Sequence, residues 1–312
     1  MNLKDIIKKQ GGIKLFKQYI KNGTILIAFL QFILLGKTRT ALEILRLSIQ
    51  LKTKKKLYRK YNKKLIEFDN NYINYEHMAN NTIWVCWLQG MDNAPDIVKK
   101  CYNSILKIEG KEVVLITKDN IKQYVQFPDY IQEKWDKGII TNTHITDLLR
   151  LELLIKYGGI WLDATVFCSD NHIPNYIENS DLFLFQNLKP GRDGHSIYVS
   201  SWLISAKSHN KVLEATLFLC YEYWKKYNYM VDYFLLHFFM SIVLDFYNDE
   251  WDKIVPVSNA IPHVLLLRLF KQYDGIIWNE LKKQTVFHKL SYKFDEDNYR
   301  IKNTYYDVII NN

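Results

Sequence analysis

Asp147 and Arg150 stand three residues apart, and Asp163 and Thr165 follow thirteen and fifteen positions after Arg150. An acid and a guanidinium at that first spacing are neighbours on one helical face. A helix start offers free backbone N–H groups, and a guanidinium forks onto anions and hydroxyl-rich ligands. Taken alone, the same pair also describes an ordinary surface salt bridge. Asp163 changes that balance. It closes the apolar run Ile160-Trp161-Leu162, and a carboxylate ending a buried strand needs a partner, because an unpaired buried charge is costly. Arg150, a divalent cation or both would supply one, and a hard cation there would neutralise a bound phosphate.

The elements that must position these residues can be read around them. Thr143 or Thr146 is expected to cap a helix running through Leu148, Leu149, Leu151, Leu154 and Ile155, stopped by Gly158-Gly159. A buried strand then ends at Asp163. Upstream, Ile83-Trp84-Val85-Cys86-Trp87-Leu88 reads as a strand closed by Gln89-Gly90. A helix from Pro95 to Leu106 and a second strand from Glu112 to Thr117 follow. Strand, helix and strand at this spacing predict a parallel α/β unit. Ligands in such sheets sit beyond the carboxyl ends of the strands, which places Trp87 to Gly90 and Lys118 to Asn120 on one rim. Trp202, at the start of the apolar run Leu203-Ile204-Ser205, is either part of that wall or core.

The charge is regional. Residues 1–70 hold 17 Lys and Arg against 4 Asp and Glu, whereas the whole 312-residue chain carries +9. Residues 1–75 therefore form a basic helical region, followed by an α/β domain over 76–312. Ile25 to Leu35 is apolar except for Gln31, far short of the roughly 20 residues of a spanning helix. Its leader is too long and lysine-rich for an ordinary signal peptide. The lysines from Lys52 to Lys64 beside this run predict a segment lying on an anionic membrane surface; a helical hairpin packed on the main domain is the alternative. No nucleic-acid motif accompanies the lysines. Four cysteines without zinc spacing fit buried thiols in a reducing compartment.

Thr146-Asp147-Leu148-Leu149-Arg150 and Tyr157-Gly158-Gly159-Ile160-Trp161-Leu162-Asp163-Ala164-Thr165 resemble the core of the DXD-type sugar-transferase superfamily. That group includes initiating (Och-type) mannosyltransferases and clostridial glucosylating toxins. With Ile83-Trp84, Trp87, Gln89-Gly90, Ala94-Pro95 and Asp163-Ala164-Thr165-Val166, the chain looks most like bacterial capsular polysaccharide synthesis proteins. The resemblance is strong over about residues 80–170 and weak at Lys289-Leu290-Ser291 and between Leu30 and Leu45.

The resemblance implies a GT-A α/β fold and transfer of a hexose, with retention, from a nucleotide-sugar donor such as a UDP-hexose. The acceptor would be a lipid-linked oligosaccharide at the cytoplasmic face of the membrane. Trp87 would stack on the base, Asn120 would lie near the ribose, and Asp147 and Arg150 would hold the donor sugar and diphosphate. Gln89, Thr146 and Gly159 would belong to the same donor site. Asp163 would be the first aspartate of the metal motif and Thr165 stands at the second position, so Mn²⁺ or Mg²⁺ would need a further ligand, for which His288 is the candidate. His237, inside Phe234-Leu235-Leu236-His237-Phe238-Phe239, reads as a core histidine. A toxin-like protein glycosyltransferase and a non-catalytic nucleotide-sugar-binding scaffold are the competing readings.

Overall fold

The computed structural model describes residues 19–311 except 21, 37 and 189–195; residues 1–18 of the basic region lie outside the described residues. The strands are β1 (Thr82–Cys86), β2 (Glu112–Ile116), β3 (Gly159–Asp163), β4 (Val166–Cys168), β5 (Leu182–Gln186), β6 (Val199–Ala206) and β7 (Phe287–Lys289). Five of them form one sheet in the order β2-β1-β3-β6-β5, while β4 and β7 make a small antiparallel pair. As the sequence predicts, β1 and β2 are parallel. β3 extends the parallel set on the other side of β1, and β6 and β5 complete the sheet antiparallel.

Side-chain alternation divides the core into two layers. Ile83, Val85, Ile160 and Leu162 pack with α3 (Asp96–Ile105), and Trp84, Cys86 and Trp161 point to the opposite layer. That second layer contains α4 (Asn142–Tyr157), α5 (Lys211–Lys226) and α6 (Leu235–Phe246). Both faces of the central strands are thereby covered, which accounts for their continuous apolar runs. All four cysteines are free and buried.

The turn between α4 and β3 sets the site. The helix is capped by Thr141, whose hydroxyl accepts from the His144 N–H at 3.3 Å, rather than by Thr143 or Thr146. It ends at Gly158 with φ of 70°, and Gly159 follows with φ of 100°. A Cβ on Gly159 would stand 2.4 Å from the Thr82 carbonyl oxygen, so only glycine lets β3 enter beside β1. From Arg150 to the helix end is about 10 Å at 1.5 Å per residue, and four strand steps return about 13 Å. Asp163 consequently comes back level with Arg150.

Two helices lie in the described part of the basic region. α1 (Ile25–Leu35) has no buried residue, whereas α2 (Arg39–Asn70) buries Ala41, Ile49, Thr53, Leu57, Tyr61 and Leu65. The spacing of four along Ile49, Thr53, Leu57, Tyr61 and Leu65 puts the buried positions on one stripe of the helix. Leu57, Tyr61 and Leu65 join the same layer as α4, α5 and α6. The C-terminal half of α2 is thus built into the α/β core, and α1 stands outside it. Among the described residues no helix is long and apolar enough to cross a membrane.

Candidate active site

A cleft of about 520 Å³ opens at the carboxyl ends of β1 and β3. Register places Cys86 beside Asp163, and the antiparallel pairing of Leu162 with Leu203 brings Ser201 and Trp202 to the same end. Trp87, Gln89, Thr146, Asp147, Arg150, Asp163, Thr165 and Trp202 all line it. These eight are among the positions expected from sequence.

Asp163 is the most contacted acid of the cleft. Trp161 Nε1–H donates to its Oδ1 at 3.0 Å, Arg150 Nη2 stands 3.4 Å from the same oxygen, and Lys289 Nζ lies 3.3 Å from Oδ2. Lys289 also donates to the Thr165 hydroxyl. Asp147 sits deeper: Arg150 Nη1 is 2.9 Å from its Oδ1 and His144 Nδ1 3.2 Å from its Oδ2. Trp224 Nε1–H donates to His144 Nε2 at 2.8 Å, so the ring proton sits on Nδ1 and faces the carboxylate. Burial works to raise the Asp147 carboxyl; the Arg150 charge and the His144 hydrogen bond override it and hold the group below the ordinary carboxylate range.

Arg150 is buried and its guanidinium lies 5.0 Å from the Trp161 ring. It bridges Asp147 and Asp163 and donates to the Ser201 hydroxyl. Ser201 in turn meets His237 Nε2 at 3.0 Å. The other ring nitrogen of His237, Nδ1, is buried without a hydrogen-bond partner among the described residues, and His237 as a residue lines the cleft. Burial pushes the His237 imidazole down to about 4, so it is neutral at physiological pH.

Three expected positions lie elsewhere. Asn120 accepts from the Thr117 N–H at 2.8 Å and donates to the Leu115 carbonyl at 2.9 Å; it fastens its own loop and does not line the cleft. Gly159 meets β1 and not the cleft, for the steric reason given above. His288 is 1% exposed, with Nε2 3.0 Å from the Ser169 hydroxyl and its ring 5.2 Å from Trp278. On β7 its neighbour Lys289 points to Asp163, so alternation turns His288 away. His237, read as core, is instead a cleft residue. Lys289, Ser201 and His144 were missed as site residues. Only the weak Lys289-Leu290-Ser291 resemblance pointed towards one of them.

A divalent cation does not fit this donor set. Both oxygens of Asp163 and the Thr165 hydroxyl already face nitrogen donors, and His288 is turned elsewhere. Among the described residues no group of three or more His, Cys, Asp or Glu side chains could hold a metal.

The pattern of the capsular polysaccharide synthesis proteins matches residues 40–309. The chain belongs to that family. It is similar to the O-glycosyltransferase braB of Annulohypoxylon truncatum, at 29% identity over 99 residues, which is 28% of this chain and 24% of that protein. The O-glycosyltransferase PaGT of Phomopsis amygdali is 29% identical over 96 residues, with the same two coverages. The chain thus spans about a quarter of the length of these curated relatives. Among solved structures, the PaToxG glycosyltransferase superposes with a TM-score of 0.37 at 13% identity, covering 64% of this chain and 82% of that one.

Proposed function

We propose that this member of the capsular polysaccharide synthesis family is a retaining GT-A-type glycosyltransferase. It would move a hexose from a nucleotide diphosphate sugar, such as a UDP-hexose, to a lipid-linked oligosaccharide. The observation that carries this reading is the cleft at the carboxyl ends of β1 and β3, where Asp163 and two cations meet an aromatic rim. A sugar diphosphate needs positive charge for its phosphates and a flat apolar surface for its base. Lys289 and Lys293 supply charge at this rim, and half-buried Trp87, edge-on to Tyr292 at 5.4 Å, supplies the surface. Asp147, Arg150 and Ser201 form a fixed floor, and a preorganised polar floor lowers the cost of charge separation at the sugar–diphosphate bond.

The exposed helix α1 and the basic face of α2 support a seat at the inner membrane surface. A lipid-linked acceptor lies in that plane, so tethering raises its effective concentration. The test is to incubate the purified protein with a panel of nucleotide sugars and follow release of the nucleoside diphosphate. Slow hydrolysis of one donor, accelerated by membrane extract containing the acceptor, is the expected result. Binding of a donor with no hydrolysis or transfer would instead make the protein a scaffold.

A further inference from the structure

We infer that the Lys289 ammonium takes the place of a divalent cation in this cleft, so that donor diphosphate is bound without metal. The inference rests on the nucleotide-donor reading and goes further, naming the group that neutralises the phosphates. Lys289 Nζ stands between the two side chains at which a metal would be sought: it is 3.3 Å from Asp163 Oδ2 and donates to the Thr165 hydroxyl. The charges agree. One carboxylate and one ammonium sum to zero, as two carboxylates and a divalent ion would, so the second acid of an Asp-x-Asp pair is not needed here. The site is also held rigidly. Thr165 accepts the Leu290 N–H through its carbonyl at 2.9 Å, and Val166 pairs with Lys289 across the β4–β7 ladder, which fixes the lysine backbone beside the end of the Asp163-Ala164-Thr165 turn.

The ammonium retains the capacity to bind a ligand. Its third contact, to the Leu290 carbonyl, is 3.4 Å long, beyond the usual range of an N–H···O bond, and a phosphate oxygen at the cleft mouth displaces it readily. Lys293 lines the same mouth. Arg150 cannot play this part alone, because Asp147, Asp163 and Ser201 already occupy its terminal nitrogens. A compact ammonium with rotatable donors suits a phosphate whose position shifts as the sugar leaves.

Calorimetric titration with UDP, GDP and ADP, in EDTA and in excess Mn²⁺, tests the assignment on the full chain. The tightest of the three should bind wild-type protein equally in both buffers, within about twofold. Lys289→Met should weaken binding in EDTA by about tenfold or more, and Lys289→Arg should recover most of it. Thermal melting of each variant identifies any that is unfolded, and the wild-type comparison of buffers stands without them. Binding that collapses in EDTA, or a folded Lys289→Met that binds like wild type, overturns the lysine's role while leaving the donor reading intact. No binding of any diphosphate in either buffer overturns both.

Discussion

The cleft and the N-terminal hairpin use charged and apolar side chains in opposite ways. In the cleft the floor charges are answered from within: Arg150 by Asp147 and Asp163, Asp163 again by Lys289. On the hairpin, Phe29, Ile33 and Leu34 of α1 are 60%, 61% and 77% exposed. A groove between α1 and α2 is lined by Lys52, Lys55, Lys56, Arg59 and Lys60. Lys54 pairs with Asp245 and Lys64 with Glu67 and Glu222, but Lys55 and Arg59 meet no carboxylate among the described residues. Burial, with Lys226 and Lys56 adding like-charge repulsion, lowers the Lys60 ammonium. Internal compensation holds a geometry ready for a small ligand. An outward apolar and basic surface marks a place of interaction, and we propose an anionic interface as the one that meets both kinds of side chain.

The largest effect expected from this contrast is at Asp163. Asp163→Asn removes the one carboxylate that ties Arg150 and Lys289 to the same point, and with it the balance of charge around the diphosphate. Transfer should fall by about 100-fold or more, the scale of losing one preorganised electrostatic group. The fold should survive, because the side chain is 28% exposed at a strand end. Single-turnover rates with melting curves check both halves, and near-wild-type turnover by a folded variant would remove Asp163 from the mechanism.

The next effect belongs to the hairpin. Replacing Phe29, Ile33 and Leu34 together by Gln should leave melting almost unchanged, since none is buried. It should reduce co-sedimentation with anionic vesicles by about tenfold or more, because each apolar side chain contributes about 1 kcal/mol or more to insertion. High salt should weaken the wild-type interaction through the lysines. If the triple variant and wild type partition alike, α1 is a contact for another protein and not for lipid.

How much of this was legible in the sequence follows from how local each signal is. β1, β2 and β3 announced themselves as short apolar runs between glycines and polar turns, and Asp163 as the acid closing one of them. The Asp147–Arg150 pair was readable from helical spacing alone. Lys289 was not, because it reaches Asp163 only through the pairing of β7 with β4, across 126 residues of chain. His237 reads as core because its sequence neighbours are apolar, and Phe238 and Phe239 are fully buried in the structure; the helix turns one position of that apolar stretch towards Ser201. His288 failed for the complementary reason. The resemblance made it a metal-ligand candidate, whereas strand alternation turns it away from the side on which Lys289 meets Asp163.

Those two histidines supply the smallest and most discriminating expectation. Burial pushes both imidazoles from 6.5 down to about 4. Between these values the unfolded chain takes up protons that the native fold refuses. Their contribution to stability is therefore complete above 6.5 and is lost as pH falls through the window. Each group should add about 1 kcal/mol per pH unit to the slope of unfolding free energy between pH 6 and 5. His288→Gln should flatten that slope and leave nucleoside diphosphate affinity unchanged, because its ring faces Ser169 and Trp278. His237→Gln should flatten it similarly and also alter donor KM, because Ser201 connects it to Arg150 and the residue lines the cleft. Urea titrations at several pH values, paired with donor kinetics, separate the two. Equal kinetic effects from both variants would mean that the cleft does not distinguish a wall histidine from one packed behind it, and the division between site and scaffold drawn through β7 would fail.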